Sequence, residues 1–282
     1  MLLSQSNEKS CRGDVKSGPA VSRVGNQEAA DTDRTISGGS PFEEKPGLIS
    51  RFCLSVVKWA ERQNVRYSRH GNPPIYDLSV FPWIKTLEAN WRAIRRELDS
   101  VLERKQELPS FHEITAEVAG LSDDKWKTFL LAGYGLKSEQ NIARCPETWR
   151  ILRAVPGLKT AMFSILEPGK YIPPHHGPYN GVLRLHLGLK VPEPREQSAI
   201  RVDQKLYHWR EGEAVVFDDA FEHEAWNRTQ GTRVVLFLDF VRPLRFPANL
   251  VNWLLLNIAM FTPFIREGRE NQKAWERKFY RT

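Results

Sequence analysis

The chain has 282 residues, of which 41% are hydrophobic and 27% charged, and its formal net charge at pH 7 is +7. This composition supports a sizeable core and argues against a chain that is disordered throughout. The positive excess suits an anionic membrane surface or an acidic substrate, whereas no run of Lys and Arg is interleaved with aromatic residues, so a nucleic-acid partner is not expected.

The cysteines Cys11, Cys53 and Cys145 are few, odd in number and without a CxxC motif. They therefore predict neither a disulfide framework nor a thiolate zinc site, and they favour a reducing compartment.

The first 45 residues are rich in Ser, Gly, Asp and Glu and contain few large apolar side chains. Such a segment buries too little surface to offset the entropy lost on folding, so residues 1–45 are predicted to form a disordered tail. The first residues also lack the apolar run of a secretory signal, and none is expected.

Apolar residues then recur at helical spacing in two stretches, which predicts amphipathic helices at about 46–64 and 83–105. The ordinary role of such helices is to pack one face against a sheet. Residues 46–110 are therefore predicted to form a helical N-terminal part that packs on a β domain.

After residue 156 the sequence alternates short apolar runs of β type with turn residues. Many short strands at this spacing are typical of a β-sandwich or a closed barrel. Residues 111–245 are therefore predicted to form a mainly β domain with flanking helices. The predicted strands are 126–131, 160–166, 171–173, 181–191, 199–202, 205–209, 214–217 and 234–241, and a short helix is predicted at 145–152.

The last segment, 246–282, begins with a helix predicted at 248–261 that is apolar nearly all round, and it continues into a basic tail. Its apolar run through residue 265 is shorter than the ~20 residues that span a bilayer comfortably. Three interpretations remain open: peripheral docking on a membrane through 248–265, a buried helix that caps the barrel, or a face that pairs with a second subunit.

Two histidines next to predicted strands form a candidate metal site. His175 lies in Pro174-His175-His176-Gly177, and His223 closes the segment Phe217-Asp218-Asp219-Ala220-Phe221-Glu222-His223. Neutral imidazole binds iron, zinc and copper alike, so the histidines do not identify the metal. The common mononuclear iron site adds a carboxylate two residues after the first histidine, but Gly177 stands there. By spacing alone, two histidines would bind a metal weakly.

Glycine in place of the usual carboxylate at position 177 agrees with the pattern of one family. The chain resembles the aspartyl/asparaginyl β-hydroxylases, which are iron(II)- and 2-oxoglutarate-dependent oxygenases with a double-stranded β-helix (jelly roll) and which bind iron through two histidines without a carboxylate. The resemblance covers about 120–243. It rests on His175-x-Gly177-Pro178-x-Asn180, Leu183-Arg184-x-His186-Leu187-Gly188-Leu189, Phe217-Asp218-Asp219-x-Phe221-Glu222-His223-Glu224-x-Trp226 and Arg233.

The resemblance implies that His175 and His223 bind the iron, with His176 as the neighbouring alternative one position out of register. It implies that Arg233, ten residues after His223, anchors the distal carboxylate of 2-oxoglutarate. A guanidinium fork suits such a dicarboxylate. No catalytic residue is implied beyond the metal site.

The other cosubstrate contacts that the resemblance implies are Ser164, Arg184, His186 and, with a different spacing, Trp126. Arg184 could instead be a surface strand residue, His186 a core histidine and Ser164 a packing residue. The acidic residues before His223, namely Asp218, Asp219 and Glu222, are interpreted as groups that orient that histidine, with approach to the metal as the alternative.

Members of the family act either on Asp or Asn side chains or on C2 of acyl chains in bacterial lipid A and ornithine lipid. The apolar 248–265 stretch favours the lipid branch, as does a resemblance of 72–83 to that branch. We therefore expect a cytoplasmic enzyme, docked on the inner face of a bacterial inner membrane, that uses iron(II), 2-oxoglutarate and O2 to hydroxylate C2 of an acyl chain of ornithine lipid or lipid A. The alternatives are an aspartyl/asparaginyl hydroxylase acting on a peptide or carrier-bound amino acid, and a non-catalytic cupin-like binding module.

Overall fold

The computed structural model describes residues 48–115 and 120–281, and the tail predicted at 1–45 lies outside this part. Within the described residues, ten strands form two antiparallel sheets with the orders β2-β1-β3-β10-β5-β8 and β4-β9-β6-β7. The strands are β1 (Trp126–Gly133), β2 (Leu136–Lys137), β3 (Leu158–Leu166), β4 (Lys170–His175), β5 (Val182–Lys190), β6 (Ser198–Val202), β7 (Lys205–His208), β8 (Ala214–Phe217), β9 (His223–Asn227) and β10 (Arg233–Val241).

From β3 to β10 the chain passes back and forth between the two sheets. Four of these strands form the order β3-β10-β5-β8 in the large sheet, and the other four form β4-β9-β6-β7 in the small one. This connectivity is that of a double-stranded β-helix, so the predicted fold class is confirmed. Strand β9 was not predicted, because only every second residue of His223–Asn227 is buried and its apolar content is low.

Helices surround the sheets. The helix predicted at 83–105 is in fact two helices, α2 and α3, because Asn90 leaves the helical conformation and its side-chain amide donates to the Thr86 carbonyl at 2.8 Å. Helices α4, α5 and α8 were not predicted. The helices are α1 (Leu48–Arg66), α2 (Ile84–Ala89), α3 (Trp91–Leu102), α4 (Phe111–Ile114), α5 (Glu139–Arg144), α6 (Pro146–Leu152), α7 (Ala248–Ala259) and α8 (Pro263–Phe279).

Both faces of the large sheet are buried, and this explains why its strands read as nearly continuous apolar runs. The outer face packs residues such as Phe163 and Leu236 against α2, α3 and α6. The inner face, with Met162 and Phe237, meets side chains of the small sheet such as Ile200. The space between the sheets is therefore enclosed, and polar side chains that point into it are shielded from water.

Helix α7 packs against α1 but buries only one of its own faces. Ala248, Asn252 and Leu256, four residues apart, point inward. The opposite stripe is apolar and exposed, as Leu250 and Trp253 illustrate. Helix α7 is thus not the wholly buried cap of the second interpretation. Across the described ranges, no helix is both long enough and apolar enough to cross a membrane.

Candidate metal and cosubstrate site

His175 and His223 are brought together by the small sheet. They are direct cross-strand partners on β4 and β9, and their ring centroids lie 4.1 Å apart. His176 is exposed instead, and its Nδ1 lies 3.0 Å from the Ala220 carbonyl. The strand register therefore places His175, and not its neighbour, opposite His223.

The tautomer of each ring follows from its backbone contact. His175 Nδ1 lies 2.9 Å from the Pro173 carbonyl, and His223 Nδ1 lies 3.0 Å from the Phe221 carbonyl. Because a carbonyl can only accept, each Nδ1 carries the proton and each Nε2 keeps its lone pair for a metal. The Phe221 carbonyl, and not one of the three acidic side chains considered above, is thus what orients His223.

Both imidazoles are held neutral, the form that binds a metal. Burial lowers the pKa of His223 to about 3, with a further contribution from His175. Burial also lowers the pKa of His175, and Arg184 contributes to this lowering in both residues. The positive charge of Arg184 therefore lies near the two rings.

Gly177 stands where the common two-histidine iron site carries a carboxylate, and the structure gives a steric reason for glycine. Its N–H donates to the Asp219 carbonyl at 2.7 Å. A Cβ at this position would lie 2.3 Å from Asp219 Oδ2, well inside van der Waals contact. An aspartate could not occupy position 177 without displacing Asp219.

Asp219 and Arg184 form a buried ion pair beside the histidines. Arg184 Nη2 lies 2.9 Å from Asp219 Oδ2, and its Nε donates to Asp239 Oδ1 at 2.9 Å. Burial raises the pKa of Asp219 to about 6, against the opposing effect of Arg184. Arg184 is therefore not the surface strand residue of the alternative interpretation. It is a fixed cation on the face of β5 that points between the sheets.

Arg233 is a buried cation that no described carboxylate neutralises. Its side chain is 1% exposed, and Nε and Nη1 have no hydrogen-bond partner within the described part of the chain. The guanidinium carbon lies 4.3 Å from the ring centroid of Trp209. Burial lowers the pKa of Arg233 to about 9. Since an unpaired buried charge is costly, this arrangement fits a site that receives an anion.

His186 is a second buried group whose polar atoms are left open. Neither ring nitrogen has a hydrogen-bond partner among the described residues. Burial, followed by the charge of Arg233, holds the pKa of His186 well below its usual value, so the ring is neutral and can both donate and accept. Phe217 and Phe237 pack on it at centroid distances of 5.1 and 5.2 Å.

The remaining residues implied by the resemblance lie on β1 and β3 of the same sheet. Trp126 Nε1 donates to Ser164 Oγ at 3.1 Å, which fixes the hydroxyl of Ser164. Trp126 packs within the core between the sheets, and Phe111 of α4 meets its ring edge-on at 4.8 Å. Ser164 is therefore a positioned donor and not a packing residue alone.

Trp209 belongs to this group although sequence reasoning missed it. Its side chain is fully buried, and its indole N–H has no acceptor in the described ranges. The ring stacks on Arg233 and lies 5.9 Å from the ring of His186. Three neighbouring side chains, Arg233, His186 and Trp209, thus present unsatisfied polar atoms, which fits a dicarboxylate such as 2-oxoglutarate beside a metal held by two imidazoles.

The sequence is similar to those of known proteins. Residues 88–243 match the aspartyl/asparaginyl β-hydroxylase family. The chain is 55% identical over 262 residues to an ornithine lipid ester-linked acyl 2-hydroxylase from Rhizobium tropici, covering 93% of each chain. It is 33% identical over 165 residues to the aspartyl/asparaginyl β-hydroxylase of Homo sapiens, which is 57% of this chain and 21% of the human one.

Among solved structures, a Pseudomonas putida prolyl-4-hydroxylase aligns with 54% of this chain and 87% of its own, at a TM-score of 0.35 and 18% identity.

The family match spans more than half of the chain, and the Rhizobium tropici relative aligns over nearly all of it. The chain therefore belongs to the aspartyl/asparaginyl β-hydroxylase family.

Proposed function

We propose that this protein is an iron(II)- and 2-oxoglutarate-dependent dioxygenase that hydroxylates C2 of an ester-linked acyl chain of ornithine lipid. The main support is the 55% identity to the Rhizobium tropici acyl 2-hydroxylase over 93% of both chains. An alignment of 262 of the 282 residues necessarily includes α1 and α7 as well as the β-helix. The likeness therefore extends to the parts that distinguish this chain from a bare oxygenase core.

In this proposal His175 and His223 hold the iron through Nε2, and Arg233 binds the distal carboxylate of 2-oxoglutarate. Ser164, His186 and Trp126 complete the cosubstrate pocket. Arg184, close to both imidazoles, supplies positive charge at the metal end of the same anion. When bound, iron(II) and 2-oxoglutarate supply with O2 the oxidising chemistry that replaces a C–H bond by C–OH.

The chain's own contribution is orientation and the exclusion of water. The carbonyls of Pro173 and Phe221 fix the two rings, and the enclosed space between the sheets keeps solvent from the reacting groups. The acyl chain is apolar, so it would enter such a space without loss of hydrogen bonds.

We further propose that the enzyme reaches its substrate by peripheral contact with the inner face of the bacterial inner membrane, through 248–265. The exposed apolar stripe of α7 supports this contact, because an outward helix face is normally polar in a protein surrounded by water.

The test is turnover of purified protein with iron(II), 2-oxoglutarate, O2 and ornithine lipid that lacks the 2-hydroxyl group. Mass spectrometry should show the gain of one oxygen, located at C2 of the ester-linked chain, with one succinate formed for each product. Lipid A serves as the competing acceptor. The Arg233→Met protein, which keeps the fold but not the anchor for 2-oxoglutarate, is the control.

The second candidate is hydroxylation of an aspartyl or asparaginyl side chain, which the 33% identity to the human β-hydroxylase favours. Soluble Asp- and Asn-containing peptides are therefore included in the same assay. A hydroxylated peptide together with unmodified lipid would replace the lipid proposal by this one.

A further inference from the structure

An apolar surface, which we call the outer platform, is formed by exposed side chains of helices α1 and α7 and of the residues that flank α7. On α7 it comprises Leu250, Trp253, Leu254 and Ile258, whose spacing of three, four and eight residues places them on one stripe. Phe246 and Phe261 lie exposed just before and after the helix, and Phe246 is 75% exposed. Large apolar side chains in such a row are unusual on a surface that faces only water.

Helix α1 contributes to the same platform. It packs against α7, and it leaves Leu54, Trp59 and Val65 exposed. The end of α1 is joined to the segment before α7 by backbone hydrogen bonds: Arg245 N–H donates to the Tyr67 carbonyl at 2.9 Å. Leu54 and Val65 share one face of α1, whereas Trp59 points about 140° away from them. Phe246 directly follows Arg245, so it lies beside the end of α1.

The charge around the platform is positive. Residues 53–69 contain the four basic residues Lys58, Arg62, Arg66 and Arg69 against Glu61 alone, and residues 243–262 contain Arg245 and no acidic residue. A basic rim around exposed apolar side chains matches the surface of a bilayer that contains anionic lipid. A second copy of this chain would bring the same positive charge to the contact and would be repelled by it.

The platform is also joined to the loop that follows the first candidate metal ligand, His175. Asn64 of α1 donates to Tyr179 Oη and to Asn180 Oδ1, both at 3.0 Å, and Asn180 Nδ2 donates to the Glu61 carbonyl at 3.1 Å. From α7, Asn252 donates to the Gly181 carbonyl at 2.8 Å. Both helices thus hold the segment that follows His175.

Gly181 shows how closely α7 approaches this loop. A Cβ at position 181 would lie 2.1 Å from Asn252 Oδ1 and also 2.1 Å from the ring of Tyr179. Earlier in the loop, Pro174, His176 and Pro178 are exposed. Asn64 and Asn252 are buried, so the loop is held from the inner sides of the two helices whose outer sides form the platform.

We propose that α1 and α7 together form a docking platform for an anionic lipid bilayer, and that their bonds to residues 179–181 fix the orientation of the loop after His175 relative to that bilayer. The inference rests on the proposed function, and it names the surface through which the enzyme meets the membrane that contains its lipid substrate.

The first experiment follows α1 with a label on its own cysteine. Cys53 is exposed and Cys145 is fully buried, so the full chain carrying Cys11→Ser can be labelled at Cys53 with an environment-sensitive fluorophore. Vesicles of equimolar phosphatidylcholine and phosphatidylglycerol should shift its emission to the blue, and vesicles of phosphatidylcholine alone should do so more weakly. The same label at Leu206→Cys, with Cys53→Ser, should not respond.

Two pairs of substitutions test whether both helices take part. Trp253→Ser with Leu254→Ser removes apolar surface from α7, and Leu54→Ser with Val65→Ser removes it from α1. Each pair should weaken partitioning into the anionic vesicles about tenfold or more. Leu206→Ser, equally exposed but on β7, is the matched control and should bind as the parent does.

Hydrogen exchange tests the orientation of the site. Anionic vesicles should slow amide exchange in residues 176–182 as well as in α1 and α7. Protection of the helices with unchanged exchange in the loop would overturn the orientation, and parent-like binding by either serine pair would overturn the two-helix platform. A Cys53 response that follows protein self-association instead of vesicles would assign the surface to a second copy.

The outcomes also separate this inference from the proposed function. Hydroxylation of detergent-dispersed ornithine lipid without vesicle binding would remove the platform and leave the enzyme assignment intact. Vesicle binding without any lipid hydroxylation would leave the platform and remove the lipid hydroxylase.

Discussion

Replacing Arg233 by methionine should stabilise the ligand-free protein while it abolishes use of 2-oxoglutarate. Arg233 is buried, and two of its guanidinium nitrogens have no partner in the described part of the chain. Burial holds its pKa at about 9 instead of 12.5. At about 1.4 kcal/mol for each tenfold change, the charged form is disfavoured in the fold by roughly 5 kcal/mol.

Part of the stabilisation expected from removing this buried charge is lost again, because the substitution also removes the stacking of Arg233 on Trp209. Such a contact contributes ~1–2 kcal/mol when it is shielded from water. The expected net effect is an increase of roughly 3–4 kcal/mol in the free energy of unfolding. For a domain of this size that corresponds to a rise of about 5 °C or more in Tm.

Arg242→Met is the matched control, since Arg242 is as buried as Arg233 but is paired. Its Nη1 lies 2.6 Å from Asp218 Oδ2, and its Nη2 donates to Tyr76 Oη at 2.8 Å. Removing this cation leaves a buried carboxylate without its partner, which should cost roughly 3–5 kcal/mol. The two arginine substitutions should therefore change stability in opposite directions.

Urea unfolding and thermal melts, each with and without metal and 2-oxoglutarate, measure both effects. Saturating ligand at about 100 times Kd should stabilise the parent protein by ~2.7 kcal/mol and leave Arg233→Met unchanged. The reasoning is refuted if Arg233→Met is less stable than the parent without ligand, or if 2-oxoglutarate stabilises it as it does the parent.

Three further changes test the rest of the site. Folding lowers the pKa of His223 to about 3 and also lowers that of His175, so the unfolded chain takes up protons at a higher pH than the folded protein does. The free energy of unfolding of the metal-free protein should therefore fall as the pH drops from ~6.5 toward 3, and urea unfolding of His223→Asn should show a flatter dependence on pH. Gly177→Ala places a Cβ 2.3 Å from Asp219 Oδ2 and should weaken iron binding about tenfold or more in a metal titration, whereas unchanged affinity would contradict the close approach. Trp209→Phe removes the free indole N–H beside Arg233 and should raise the KM for 2-oxoglutarate about tenfold with kcat nearly unchanged; a loss confined to kcat would exclude a binding role.

The parts of the fold that sequence predicts well are those buried on both sides. Strands β3, β5 and β10 are largely apolar because helices cover one face of the large sheet and the small sheet covers the other. Strand β9 escaped prediction because its second and fourth positions, Glu224 and Trp226, are only half-buried and a polar side chain is tolerated there. Helix α8 escaped because its many charged residues resembled a tail.

The candidate site also contains residues that the sequence predicted and one that it did not. His175, His223 and Arg233 lie in motifs whose spacing along the chain is informative. Trp209 stands just before the turn Arg210-Glu211-Gly212, and nothing in the sequence links it to Arg233, which begins the third strand further along the chain. Its contact with Arg233 arises only when the two sheets meet face to face. The one signal in the sequence was the position of Trp209, an aromatic residue with an N–H donor, at the end of a predicted strand and next to a turn.

The pairing of His175 with His223 across β4 and β9 has a consequence for the order in which the molecule assembles. Four strands, β5 to β8, lie between the two histidines and must be synthesised before the second ring can meet the first. Contacts between residues so far apart in sequence form late in folding, since closing the intervening loop comes first. A newly made chain therefore has no place for iron until its β-helix is nearly closed, and ferrous ion added during refolding should accelerate or stabilise only that final closure.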